Sequence, residues 1–305
     1  MNTRSTHIII SVLLAAVAEG ACRAEGHPVD MDFSAAAGMK HDSDVAVVEL
    51  DSRTSESDAA VVLEAGLGMQ ATLTNVVDVE LAYDYVGTDY RDVPEFDLDL
   101  HHAHAHASVT VGNTDAALAV DRFAGILAGH DYLVLTQVSP SVSRLFGTRL
   151  FLRGAYIRAE KSYAELTARD ATSDALRSDV YMLFDGMDHF VALGVQITSE
   201  DAADAGYDYA GATGTLTWGH RFALARTDVR LNAQLRYEQR EYRGATQDSG
   251  ETRFDERIRA RLDVTIPFSD HVWAVAWIEH TDNDSTFADA VLDRSVYGLK
   301  LGFDL

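Results

Sequence analysis

The chain has 305 residues, 47% of them hydrophobic, with four prolines and one cysteine; this composition excludes wholesale disorder, a proline-rich linker protein and a disulfide scaffold. Twenty-five basic residues against 48 acidic ones leave a formal charge of −23, which argues against binding nucleic acid through its phosphates. No apolar run reaches the roughly 18 residues that a membrane-spanning helix needs, so a helical membrane bundle is excluded too.

Residues 1–24 read as a secretory leader. Arg4 supplies the positive region, and Ile8 to Ala18 is an apolar stretch interrupted only by Ser11, too short to span a bilayer. Cleavage is predicted after Ala24, leaving 25–305 as the mature chain. Cys22 follows Glu19-Gly20-Ala21 and keeps a second reading open, the acylated cysteine of a lipoprotein. Ordinary cleavage is favoured and leaves no cysteine, as suits an oxidising compartment.

Beyond the leader, apolar and polar residues alternate with period two, the mark of strands with one apolar face. About fourteen segments are predicted, at roughly 31–39, 58–72, 76–86, 96–110, 115–124, 131–142, 148–160, 175–185, 189–199, 208–221, 227–241, 253–266, 271–280 and 294–305. In the third, Val77, Val79, Leu81, Tyr83 and Tyr85 alternate with Asp78, Glu80 and Asp84. In the eleventh, Val229, Leu231, Ala233, Leu235 and Tyr237 oppose Arg230, Asn232, Gln234, Arg236, Glu238 and Arg240. In the twelfth, Phe254, Ile258, Ala260, Leu262, Val264 and Ile266 oppose Asp255, Arg257, Arg259, Arg261, Asp263 and Thr265.

The connections alternate between short ones and long ones near 40–57, 87–95, 161–174, 200–207, 242–252 and 281–293; the brief 125–130 is the exception. Long loops at one end and tight turns at the other, with strands long enough to cross a bilayer, predict an all-β fold: a transmembrane antiparallel up-and-down β-barrel of about fourteen strands. Closure is required because a strand edge in lipid cannot stay unpaired. An even strand number places both termini in the periplasm. The competing fold is a soluble sandwich with its apolar faces turned inward, but strands there are typically about 5–6 residues long. Tyr83, Tyr85, Tyr156, Trp218, Phe222, Trp273, Trp277, Tyr297 and Phe303 lie on the apolar faces, as an interfacial girdle requires.

Tyr297, Leu299, Leu301, Phe303 and Leu305 alternate to the end of the chain and resemble the assembly signal of outer-membrane barrels, which implies the barrel assembly machinery as a partner. Gly38-Met-Lys-His-Asp-Ser-Asp-Val45, Arg253-Phe-Asp-Glu-Arg257, Asp282-Asn-Asp-Ser285 and Asp293-Arg-Ser-Val-Tyr297 together resemble the barrel half of the surface lipoprotein assembly modifier family and related porins. That resemblance implies a barrel assisting surface display or translocation of lipoproteins. Those modifiers carry helical repeats before the barrel, and none are predicted here.

The segment 96–110 carries His101, His102, His104 and His106. Its apolar face changes parity near His101, from Phe96, Leu98 and Leu100 to Ala103, Ala105 and Ala107, which predicts a β-bulge. Asp97, Asp99, His102, His104 and His106 then share the lumen face. Histidines at i and i+2 on one strand can share a metal, so His102, His104 and His106 are candidate ligands; the favoured reading is a polar wall with no ion. Two charged walls are predicted across the lumen. One is acidic, with Glu64, Asp78, Glu80, Asp84, Asp97 and Asp99; the other is basic, with Arg230, Arg236, Arg240, Arg257, Arg259 and Arg261. Opposed walls set a field that favours polar and charged solutes in a wet channel; alternatively the charges pair, as in Arg236-x-Glu238-x-Arg240, and plug the barrel. Asp42, Asp44, Glu49, Asp51, Glu56 and Asp58 crowd the first loop, and Asp282, Asp284 and Asp289 the last. They suit cations shared with lipopolysaccharide phosphates, though plain solvation is favoured. Ser43 near His41 and His280 near Ser285 lie in no hydrolase motif, so neither an enzyme nor a cofactor is predicted. The function expected is a porin-like passive channel for small polar or charged solutes in a Gram-negative outer membrane, in contact with lipid and lipopolysaccharide. Lipoprotein handling, with a surface lipoprotein as partner, is the alternative, and a plugged structural barrel a third.

Overall fold

The computed structural model describes residues 29–224, 227–245 and 252–305; the leader and Cys22 lie outside them. Fourteen strands close into one antiparallel barrel. They are β1 (Val29–Asp42), β2 (Asp58–Thr74), β3 (Val77–Tyr90), β4 (Leu98–Val111), β5 (Thr114–Leu127), β6 (His130–Phe146) and β7 (Leu150–Tyr163). They continue with β8 (Ala171–Asp185), β9 (His189–Ala202), β10 (Tyr209–Leu224), β11 (Thr227–Ala245), β12 (Thr252–Pro267), β13 (Val272–Ser285) and β14 (Leu292–Asp304). Each strand pairs with its chain neighbours, and β1 closes the ring on β14 from Ser34↔Asp304 to Asp42↔Val296. Every strand edge therefore finds a partner, the condition for crossing lipid.

The strands run further than their alternation alone suggested. Segments 91–97, 164–170, 203–208 and 286–291 are all that separate their strands at the outer, long-loop end, and each carries a single 3₁₀ turn. The 125–130 connection is a two-residue turn in which Ala128 and Gly129 both have positive φ (51° and 76°), the geometry of a tight hairpin. Segment 43–57, between β1 and β2, is the one long loop among the described residues, with its own short hairpin of Ala46–Val47 against Ser52–Arg53.

One face of each strand is an apolar belt. Leu63, Leu67, Leu81, Leu176, Leu193, Val195, Ile197, Leu216, Leu235, Ile258, Ile278, Leu299 and Leu301 are all exposed on it. Exposed apolar surface on this scale is stable only against lipid. Toward the outer end the belt is edged by tyrosines that donate to acids on the adjoining strand: Tyr85 to Asp99 at 2.6 Å, Tyr237 to Glu256 at 2.5 Å, and Tyr156 to Asp174. Trp218, Phe222 and Phe303 edge it at the other end, so aromatic rings flank the lipid-facing band on both sides.

Two expectations about side-chain direction fail. Trp273 and Trp277 point into the barrel, where Trp273 packs with Ala36 and Val275 and its indole N–H donates to Asp304 at 2.8 Å. The reason lies on β14: Gly298 and Gly302 sit directly against the two indoles, and a Cβ at either glycine would overlap the ring. The β-bulge near His101 does not form either. β4 pairs in unbroken register with β3 and β5, so Leu98 and Leu100 face inward with the histidines, while Asp99 and His101 face outward. Leu98 lies opposite Leu127, which packs under the first loop, and this gives an apolar residue a place inside the lumen.

Candidate functional site: the lumen and its outer mouth

Register places Glu64, Asp78, Glu80 and Asp84 on the inward face of β2 and β3, and Arg230, Arg236, Arg240, Arg257, Arg259 and Arg261 on the inward face of β11 and β12. Asp97 and Asp99 leave the acidic wall. Asp97 caps the 3₁₀ turn before β4, where its carboxylate accepts the Tyr90 N–H at 2.6 Å, and Asp99 joins the outer tyrosine belt.

The walls are not bare charge. Guanidiniums pair along their own strands with acids two residues away, because residues i and i+2 share a face. Arg236 and Arg240 both bond Glu238, at 2.8 and 2.6 Å; Arg261 bonds Asp263 at 2.7 Å; Arg177 bonds Asp179 at 3.0 Å. The two partners do not present equally to water. Side chains of Glu238, Asp263 and Asp179 keep 9, 4 and 4% of their surface, against 39, 31 and 35% for Arg236, Arg261 and Arg177. A short carboxylate lies flush with the wall while a six-atom arginine stem carries its charge past it. The surface offered to a solute along β8, β11 and β12 is therefore cationic, although the chain as a whole is acidic. Sequence reading noted this pattern only at Arg236-x-Glu238-x-Arg240; the same Arg-x-acid spacing at 177/179, 253/255 and 261/263 was there to be read.

Lys300, absent from the predicted basic wall, donates to both Glu64 oxygens at 2.7 Å and lies 5.8 Å from the Trp273 ring centre. A cavity of about 210 Å³ opens here, lined by Lys40, Glu64, Arg261, Glu279, Arg294 and Lys300 among others.

The first loop is not a solvated acidic tail. Asp42, Asp44, Asp51 and Asp58 build a strap across the outer mouth, while Glu56 stays exposed. Asp42, fully buried, accepts from Arg294 and from the Tyr90 hydroxyl at 2.8 Å. Asp44 accepts the Ser55 N–H at 3.1 Å, and Asp58 accepts the N–H groups of Asp92 and Val93 at 2.7 and 3.2 Å. At the tip, Asp51 takes two bonds from Arg253, at 2.7 and 2.9 Å, and one from Arg169 at 3.0 Å. Arg169 belongs to the β7–β8 connection, on the far side of the fourteen-strand ring, so the loop reaches across the lumen. Burial alone would raise the Asp51 carboxyl, but the bonds and charges of Arg253 and Arg169 hold it below the ordinary carboxylate range. Val45 and Val47 beneath the strap pack with Ala60, Tyr90, Val93 and Phe96. By contrast Asp282, Asp284 and Asp289 remain exposed. The motifs of the resemblance thus meet at the mouth: Asp42 of the first binds Arg294 of the last, and Arg253 of the second binds Asp51.

The imagined Ser–His pairs do not form. His280 Nδ1 lies 3.1 Å from the Ser295 hydroxyl, Ser285 donates to Asp255 at 2.6 Å, and His41 packs on Tyr297. Of the three candidate metal ligands, His102 and His104 converge, but on Asp121 of β5 rather than on His106. His106 lies one step further along β4, its ring centre 6.2 Å from that of His104.

A closed barrel with a lipid-facing apolar belt, two aromatic borders and a charged interior defines a transmembrane β-barrel of the Gram-negative outer membrane. Solved structures similar to it include the OmpT of Vibrio cholerae expressed in the outer membrane, with TM-score 0.51 and 9% identity over 92% of this chain and 99% of that one. Another is an anion-selective porin from Comamonas acidovorans, with TM-score 0.50 and 7% identity over 90% of this chain and 98% of that one. At such identities the likeness is one of fold. No family profile and no curated relative matches the chain, so the resemblance to the lipoprotein assembly modifiers rests on the short motifs alone.

Proposed function

We propose that the protein is a porin-like passive channel for small polar and charged solutes, with anions favoured at the wall of β8, β11 and β12. The observation that carries this reading is the unequal presentation of the paired charges: carboxylates flush with the wall, guanidiniums projecting into the lumen. In a narrow wet passage between low-dielectric walls, projecting cations raise the local anion concentration. The strap across the mouth restricts entry to solutes small enough to pass beside it.

The test is single-channel conductance of the refolded barrel with its reversal potential in a salt gradient. Wild type is expected to conduct with anion preference, and Arg236→Ala/Arg259→Ala to shift toward cations. Both arginines keep a third or so of their side chains in the lumen, at 39 and 32%. Electrical silence from a heat-modifiable, folded barrel would overturn the channel. It would favour the one competing reading with an observation behind it, a barrel sealed by its strap, and turn the search toward a protein client such as a surface lipoprotein.

A further inference from the structure

The histidine cluster of β4 is more than a polar wall. His102 Nε2 and His104 Nδ1 both aim at one oxygen of Asp121, at 2.9 and 2.8 Å, and the ligand atoms of the three residues lie within 4.8 Å of one another. All three side chains are buried, with His102 and His104 only 5 and 6% exposed. On the far side of the His102 ring, Nδ1 faces Asp84 Oδ2 at 3.5 Å. The ring is clamped flat on Phe123, with centres 4.1 Å apart and planes 1° from parallel. His104 Nε2 is buried with no hydrogen-bond partner among the described residues.

We infer that His102, His104 and Asp121 form a binding site for a divalent transition metal ion, Zn²⁺ above all, set in the channel wall, with Asp84 as the positioning residue behind His102. A neutral imidazole has one N–H and one lone pair. His102 stands between two carboxylates, with Asp121 at 2.9 Å from Nε2 and Asp84 at 3.5 Å from an Nδ1 that is buried and otherwise without a hydrogen-bond partner among the described residues. With a metal ion bound, Nε2 gives its lone pair to the ion while Nδ1–H points at Asp84. That is the carboxylate–histidine–metal arrangement which fixes tautomer and ring direction. Two imidazoles and one carboxylate suit Zn²⁺, Co²⁺ or Ni²⁺ far better than Mg²⁺ or Ca²⁺, which prefer all-oxygen sites. Metal–ligand bonds of about 2.0–2.1 Å at tetrahedral angles set ligand atoms roughly 3.3 Å apart. Asp121 Oδ1 therefore retreats by about half an ångström from each nitrogen, and the two nitrogens, within 4.8 Å of one another, close toward the same spacing by side-chain torsion. Three protein ligands would leave a fourth position for water.

The site is independent of the channel reading, because binding is measurable in a detergent-folded barrel whether or not it conducts. The chelator-stripped, refolded protein is titrated with Co²⁺, followed by its visible d–d absorption, and then with Zn²⁺ by calorimetry. One ion per barrel is expected. Asp84→Asn is expected to weaken it roughly 10–100-fold, the usual effect of losing an orienting carboxylate. His104→Gln and Asp121→Asn should cost more than that, and His106→Gln nothing. Heat-modifiable migration confirms that each variant is folded, and the wild-type stoichiometry stands as a readout should one variant fail. No Co²⁺ band in wild type would show that no metal holds the cluster together, and equal Zn²⁺ affinity in folded Asp121→Asn would show that the ion binds elsewhere; either result overturns the site. Affinity lost in His106→Gln alone would overturn the assigned ligand set.

Discussion

Asp51→Asn isolates the strap. Asp51 sits at φ 54°, in the left-handed region, where asparagine is better tolerated than alanine. The change keeps one acceptor oxygen and the turn geometry while removing the charge and one of the three bonds to Arg253 and Arg169. Arg253 is not orphaned, since Asp255 still accepts from it at 2.7–3.0 Å. The loss is therefore that of a charge-assisted hydrogen bond, about 2–3 kcal/mol, rather than the larger penalty of a stranded buried ion. At about 1.4 kcal/mol per tenfold, the detached tip becomes roughly 30–150 times more populated. Val45 and Val47 remain packed, so the tip opens while the base of the loop stays seated. Trypsin reads this directly through cleavage after Arg53, since with fast reclosing the cut rate follows the open population. The variant should be cut at that bond tens of times faster than wild type and show more frequent excursions to higher conductance. Equal cleavage rates in both proteins would refute the assignment of Asp51 as the tie across the mouth.

The same tie has an acid limit. Because Arg253 and Arg169 depress the Asp51 carboxyl, its contribution is complete above the ordinary value of about 3.9 and is lost as pH falls through the lower, folded-state value. Conductance fluctuations should rise below about pH 4 in wild type and depend less on acid in Asp51→Asn; a flat wild-type profile would count against the strap. Glu238→Gln should move selectivity further toward anions, opposite to Arg236→Ala/Arg259→Ala, because it removes the flush acid beneath Arg236 and Arg240; a shift toward cations would contradict the projecting-arginine argument. Gly298→Val drives a side chain into the Trp277 ring at the closing seam. It should lower stability by about 1–3 kcal/mol, read as an earlier urea midpoint of the liposome-folded barrel. Leu299→Arg, on the lipid face near the middle of β14, should cost about 2–4 kcal/mol. No loss in that variant would place Leu299 away from the lipid core.

Which segments are strands, and which face of most of them meets lipid, was legible in the linear order of residues. A period of two is a property of the backbone, and a belt that must face hydrocarbon admits few exceptions, so Tyr297, Leu299 and Leu301 declare their side without reference to anything distant. The Arg-x-acid pairs were equally readable, because residues two apart on a strand are neighbours in any sheet. What alternation cannot specify is where an apolar residue finds a pocket inside. Trp273 and Trp277 belong to the lumen only because glycines of the next strand leave room for them, and Leu98 and Leu100 only because a loop from the start of the barrel folds over that end. Nor can it tell which partners closure brings together. Asp42 meets Arg294, Asp51 meets Arg253 and Arg169, and His102 and His104 meet Asp121 rather than His106. Those contacts depend on the register of fourteen strands around a ring, a cooperative quantity that no single segment encodes, and the mouth and the histidine site are made of them.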